Sequence, residues 1–337
     1  MEFYVPTPFR GIAAASLAAA LILSGCASTP ETESPTTPAG GTFPVTIEHA
    51  FGETEITVAP ERVVTWGWGS ADAAIALGVV PVAIPFEGYA GDENGVLPWI
   101  KDGLAALDAE VPTVLPESAE EPPYEDIAAA NPDVIIAAYS GITEEQYELL
   151  SAIAPTVAYP ETAWSTPWRD LIDIVGTTLG KSSEADTLLA DIDAELATQA
   201  DAHPEFAGKT IAAVWDVGGV FYVYKPADPR VEFLFDLGFE NAPAVDALTN
   251  GDATFYYTLS YEELDKLEAD VVVVYADTQA EADAFLTDRT AIPAVAAGNA
   301  ATVVGTEYIS SVSPPTALSL TWGLDTFIES LTVATAE

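Results

Sequence analysis

Apolar and polar positions follow two periods along this chain, and the elements change where the period changes. The clearest helical stretch is residues 183–202, SEADTLLADIDAELATQADA, where Ala185, Leu188, Leu189, Ile192, Leu196 and Ala200 recur at three- and four-residue spacing. Asp186, Asp191, Asp193, Glu195, Gln199 and Asp201 lie between them, so the opposite face meets water. Gly180 closes the helix before it, and Ser183 with Asp186 carries a capping-box signature. His203-Pro204 marks the end, because a proline pushes its predecessor out of the helical region. At 1.5 Å per residue this makes a rod of about 30 Å, the width of a small domain. Blocks of similar length flank it, so the helix is expected to be a strut between two lobes.

In the first block, PVTIEHAF and EITVA alternate around Gly52-Glu53 and read as a β-hairpin. Buried strands follow in VVTW, VVPVAIP, DVIIAAY and TVAY, with helices opening at Ser70 and spanning 97–107, 124–130, 143–151 and 166–179. After the strut come strands in KTIAAVWD, VFYVY, DVVVVYA and ATVVG, and helices over 230–237, 261–267, 279–286 and 315–331. This alternation places the chain in the α/β class: two Rossmann-like lobes with mainly parallel sheets, joined by one long helix, with a ligand cleft between them. IAAANPDVIIAAYSG and LDKLEADVVVVYADT echo each other, each giving a helix, Asp-Val, an apolar run and a tyrosine. The expected boundaries are a signal peptide over 1–25, a tether over 26–42, an N-terminal lobe over 43–182, the strut over 183–202 and a C-terminal lobe over 203–337.

The N-terminal reading rests on GIAAASLAAALILSG, residues 11–25, which is short for a membrane span and suits a signal-peptide core. It ends in Leu23-Ser24-Gly25-Cys26, which resembles the lipobox of bacterial lipoproteins, where the cysteine receives the lipid after cleavage. An uncleaved anchor with an incidental cysteine is the alternative, and either tethers the protein outside the cell. Cys26 is the only cysteine, so an internal disulfide is impossible. The following Ser/Thr/Pro/Gly-rich ASTPETESPTTPAGGT reads as a flexible spacer.

Charge narrows the partners. Against 53 acidic residues stand 10 basic ones, for a formal net charge of −43. Such a surface repels nucleic acid and anionic lipid, which leaves the lipid anchor as the expected membrane attachment. With one methionine and two histidines far apart, no metal site is expected. HExxH, CxxC, P-loop and G-x-S-x-G patterns are missing, and Asp72 occupies the third small position of the fingerprint begun by Gly67-Trp68-Gly69. Carboxylates are too numerous for any pair to stand out, so no catalytic residue is assigned and no enzyme is expected.

Ligands of open α/β sheets bind beyond the carboxyl ends of the strands. Rings gather there: Trp66 and Trp68, Tyr89, Tyr139, then Trp164, and in the second half Trp215, Tyr222, Tyr224, Tyr275 and Tyr308. Tryptophan and tyrosine also fill cores, so the case rests on repeated placement. Arg169, Lys225 and Arg230 fall beside these loops, where they would meet an anionic or planar ligand or pair with one of the many carboxylates. Arg62 is assigned to structure.

At this point the chain resembles the substrate-binding lipoproteins of iron–siderophore ABC transporters, the helical-backbone class of binding proteins. The carriers, over about residues 43–331, are Pro60-Glu61-Arg62-Val63-Val64, Trp66-Gly67-Trp68-Gly69-Ser70-Ala71-Asp72 and Leu77-Gly78-Val79-Val80-Pro81-Val82. Asn131-Pro132-Asp133-Val134-Ile135, Pro155-Thr156-Val157, Ala227-Asp228-Pro229-Arg230 and Ser313-Pro314-Pro315-Thr316 continue them in order. The resemblance implies capture of a ferric siderophore between the lobes, with iron held only through the siderophore and no cofactor of the protein's own. It also implies delivery to an ABC permease dimer by a monomeric receptor, docking through one glutamate per lobe; Glu144 and Glu262 match by position. The ring-rich, modestly basic site favours a hydroxamate over a catecholate chelate, and the stiff strut implies only small closure on binding. Haem or a corrinoid is the alternative within the binding class. An exported enzyme using cleft carboxylates, or a signalling lipoprotein without a transport partner, is the alternative outside it.

Overall fold

The computed structural model describes residues 41–118, 121–251 and 253–336. The apolar run 11–25 and Cys26 lie outside the described residues. The hairpin pairs β1 (Val45–His49) with β2 (Gly52–Ile56). It turns at Ala50-Phe51 rather than Gly52-Glu53, because Gly52 already pairs with His49.

The first lobe is built on β3 (Val63–Thr65), β4 (Ala83–Ile84), β5 (Thr113–Val114), β6 (Val134–Ala137) and β7 (Thr156–Ala158), all parallel, in the order 5-4-3-6-7. The second comprises β8 (Thr210–Val217), β9 (Val220–Tyr224), β10 (Glu240–Asn241), β11 (Tyr256–Leu259), β12 (Val271–Ala276) and β13 (Ala300–Val304). Its order is 11-9-8-12-13, with β10, β12 and β13 running parallel and the β8-β9-β11 edge antiparallel. In each sheet the chain leaves one strand, winds outward, and returns to that strand's other side. The switch points, where crevices open, therefore lie between β3 and β6 and between β8 and β12.

The echo in the sequence is a shared device at the foot of these strand pairs. Asp133, just before β6, accepts the backbone N–H groups of Glu61 and Arg62 at 2.7 and 2.9 Å. Asp270, just before β12, accepts the backbone N–H and the hydroxyl of Thr210, each at 2.8 Å. Each aspartate staples the start of the central strand to its parallel neighbour. Arg62 completes the first staple by donating to the carbonyls of Asn131 and Ala130 at 2.8 and 2.6 Å.

The strut is the helix Ser182–Ala202, buried on one face through Ala185, Ile192 and Leu196. It begins one residue before the expected boundary, and its cap lies two residues before Ser183. Lys181 occupies the cap position without a side-chain cap bond, and its ammonium pairs with Glu184 at 2.9 Å. The closing helix is Ser319–Thr335, starting later than residue 315, with Thr306–Val312 as a separate helix before it. The intervening segment returns to the first lobe. Thr316 donates its hydroxyl to Asp72 at 2.5 Å, the Trp68 indole donates to the Pro314 carbonyl at 3.0 Å, and the Trp322 ring lies 5.4 Å from Trp99. Three short strands, β5, β10 and β11, and the helices Pro243–Leu248 and Pro293–Ala297 join the expected elements, and 261–266 winds as a 3-10 helix.

Bonds from backbone N–H to a carboxylate are stronger than neutral ones, so Asp133→Ala and Asp270→Ala should each lower unfolding free energy by about 1–2 kcal/mol, with Asn variants losing less. Urea unfolding checks this; unchanged midpoints in both Ala variants would show the staples to be incidental.

Candidate ligand groove

The first wall of the groove forms where β3 and β6 end. Gly67 adopts φ +81°, and a Cβ there would sit 2.3 Å from the Tyr139 carbonyl oxygen. That close approach lets the Trp68 N–H bond the same carbonyl at 2.9 Å, which fixes Trp66, Trp68 and Tyr139 around one point. Trp164 completes the wall from the loop after β7. Its φ of +59° is unusual for a bulky residue, and its indole lies so close over Gly141 that any side chain there would collide. Trp66, Trp68, Phe86, Glu87, Gln146 and Trp164 are among the residues lining a hollow of about 390 Å3.

The opposite wall rises from β8, β9 and β12. Trp215 and Tyr275 stand opposite each other in register and line a hollow of about 220 Å3 with Asp216, Asp277, Glu281 and Arg289. Arg230 follows the helix cap Asp228, donates to its carboxylate at 2.7 Å, and lays its guanidinium 3.8 Å over the Tyr224 ring. Burial pushes the Asp228 carboxyl up more than Arg230 pulls it down, and the Arg230 guanidinium stays firmly protonated because Asp228 offsets its burial.

These pieces form a file of rings from lobe to lobe. Trp164 meets Tyr139 at 6.0 Å, and Tyr139 is close enough to Asp228 and Arg230 for both charges to bear on its phenol. Tyr224 meets Tyr275 at 6.1 Å, Tyr275 meets Trp215 at 6.1 Å, and Trp215 meets Tyr89 at 6.3 Å. Tyr89, from the first lobe, donates its hydroxyl to Asp277 of the second. Burial raises the phenols of Tyr139, Tyr224 and Tyr275, so all stay neutral donors, and the buried Tyr275 hydroxyl has no bonded partner among the described residues.

Other residues singled out by the sequence stand elsewhere. Arg169 is held by carboxylates: it binds Asp193 of the strut at 2.7 Å and Glu232 and Asp236 of the second lobe at 3.3 and 2.9 Å. Tyr308 is on the helix Thr306–Val312, not in a loop, and packs on Trp322 at 5.3 Å. Tyr222 opposes Trp215 across β8 and β9, with its ring against Tyr256 at 5.4 Å. The Lys225 ammonium donates to the Ala253 carbonyl at 2.6 Å. Glu144 and Glu262 are exposed, each in the first turn of its helix. Sequence reasoning missed Phe86, Glu87, Asp216, Asp277 and Arg289. Glu87 adjoins Gly88-Tyr89 after the second strand, where the strand-end rule would have found it had it been applied to carboxylates as well as rings.

Two sheets whose switch points each open on a ring-lined hollow, linked by a single long helix, have the architecture of a solute-binding protein. Residues 63–303 match the family described as Periplasmic binding protein, and the chain belongs to that family. It is similar to the structure of PiaA from Streptococcus pneumoniae TIGR4 in complex with ferrichrome, with 33% identity, a TM-score of 0.78, and coverage of 86% of this chain and 98% of that one. It also resembles a periplasmic solute binding protein from Mycobacterium smegmatis, with 28% identity, a TM-score of 0.73, and coverage of 87% and 99%. Among curated proteins it is 32% identical over 131 residues to the achromobactin-binding periplasmic protein of Dickeya dadantii, a match spanning 39% of this chain and 38% of that relative. Among the described residues no helix is long and apolar enough to cross a membrane, and no group of three or more His, Cys, Asp or Glu side chains is placed to hold a metal ion.

The Glu87 carboxyl is pushed up to about 8, chiefly by burial and further by the negative charge of Asp72. Its folded value lies above its unfolded one, so its contribution to stability is complete in acid and is lost as pH rises towards that value. Glu87→Gln should therefore raise the thermal midpoint at about pH 8.5 and leave it nearly unchanged at about pH 4. A gap that does not vary with pH would show that Glu87 ionises freely.

Proposed function

We propose that the protein captures a ferric siderophore in this groove and passes it to an ABC importer, performing no chemistry on it. The file of rings, with Arg230 at its centre, carries the reading. A ferric siderophore completes the iron's coordination itself, so its receptor has only to recognise the chelate's outer shell. Flat rings cover that shell with little loss of conformational entropy, and the remaining guanidinium N–H groups of Arg230 suit the partial negative charge of chelating oxygens. The second-lobe rim carries Asp216, Asp277 and Glu281, which repel a polyanionic catecholate complex more than a near-neutral hydroxamate one. The pneumococcal relative is in complex with ferrichrome, which supports a siderophore as the ligand of this groove. Membership of the family supports an extracytoplasmic location, with Cys26 as the lipid-bearing residue of a monomeric, membrane-anchored receptor. Glu144 and Glu262 are the proposed contacts with the permease dimer.

Titration with iron-loaded and iron-free chelators, followed by tryptophan fluorescence, tests the reading, with haem and a corrinoid in the same panel. Saturable quenching by ferric hydroxamates alone is expected, and quenching by a tetrapyrrole alone would replace the siderophore. Arg230→Lys keeps a charge beside Asp228 but loses the planar fork, so it should weaken binding about tenfold.

Charge reversal of both Glu144 and Glu262 should abolish iron uptake by cells while the affinity of the isolated protein is kept. Normal uptake by that double variant would remove them as docking contacts.

A further inference from the structure

The first-lobe hollow is lined by tryptophans, Phe86, Ile142, prolines and small or neutral polar side chains, with one exception. Among the described residues Glu87 is the only ionisable one on that lining. Among the described residues its carboxylate makes neither a hydrogen bond nor an ion pair. Two neighbouring carboxylates deepen the difficulty. Asp72, in the first turn of the helix Ser70–Ala76, bears on it, and the Glu117 carboxylate approaches the adjoining Gly88 from the loop after β5. Asp72 cannot be relieved in turn, because its bonds come from the neutral Trp99 indole and Thr316 hydroxyl. A half-buried carboxylate on a ring-lined hollow, without a cation, has an unmet electrostatic demand. The rings around it suit an alkylammonium group, whose methylenes take the apolar walls and whose charge faces π-systems.

We propose that Glu87 receives a cationic arm of the ligand, so that the groove selects ferric hydroxamate chelates carrying a protonated amine. The inference rests on the siderophore reading and narrows it to a charge class. Because burial pushes the free Glu87 carboxyl up to about 8, the empty site holds a proton near neutrality. An arriving ammonium displaces that proton to solvent, and the ion pair forms in its place. Affinity for an amine-bearing chelate therefore falls as pH drops below about 8, since protons compete for Glu87 while the amine, with an ordinary pKa of about 10, stays charged.

The test compares ferrioxamine B, a ferric trihydroxamate with one free amine, with its N-acetylated derivative. The wild-type protein should bind the amine form about tenfold or more tightly at about pH 8.5, and the ratio should shrink towards one at about pH 5.5. In Glu87→Gln the ratio should be about one at both pH values. Binding of both chelates by the wild type without preference, or a preference that survives in Glu87→Gln, overturns the role of Glu87 and leaves the siderophore reading standing. Failure of the wild type to bind either hydroxamate, or any other ferric siderophore in the panel, overturns both.

Discussion

The buried carboxylate of Asp72 is the constraint on which the two-lobed arrangement depends. It sits in the first turn of a first-lobe helix and gathers the Trp99 indole, from the same lobe, and the Thr316 hydroxyl, from the far end of the chain, at 2.6 and 2.5 Å. Burial pushes its pKa up by more than these two donors pull it down, and the group is held in place by neutral partners alone. A bond to a buried charged acceptor is worth about 1.5–3 kcal/mol, several times a typical exposed ion pair. Its effect is to return the chain's last segment to the lobe it left before the strut. The lobes are then joined by the helix Ser182–Ala202, by this returning segment, and by Arg169, which spans the first lobe, strut and second lobe at once.

Both lobes solve their internal problem alike and their external problem differently. At the foot of each central strand pair an aspartate staples the neighbouring backbone, and at the head of each the sheet order reverses to open a crevice. Beyond that the walls diverge. The first lobe offers tryptophans and the isolated Glu87, while the second offers tyrosines packed around the Asp228–Arg230 pair. The groove thus has a large flat wall on one side and a wall rich in phenol and guanidinium donors on the other, which suits a bulky ligand with an unevenly polar shell.

Much of this was legible in the sequence, for identifiable reasons. Strand and helix periods are local, so the strut and both central strand pairs follow from side-chain spacing, and the strand-end rule pointed to Trp66 beside one hollow and to Trp215 and Tyr275 beside the other. Elements of a few residues, such as β10 and Pro243–Leu248, are too short to show a period. Arg169 stayed open between a ligand and a carboxylate, because a base beside a tryptophan reads alike whether it faces a ligand or acids on two other elements. Glu87 was hidden among 53 acidic residues, since only the fold distinguishes a carboxylate enclosed by rings from one in water. The Asp72–Thr316 bond joins positions 244 residues apart, beyond the reach of any periodic argument.

The threefold bracing across the groove limits how the molecule can signal that it is full. A receptor on a loose hinge announces its cargo by snapping shut, and any machine gripping both halves feels the change in span. Three braces cross between the lobes here, so if the protein carries a ligand as proposed, loaded and empty forms would offer nearly the same grip. Whatever distinguishes them would then have to touch the passenger itself, and discrimination would reside in the exposed face of the ligand rather than in the posture of its carrier.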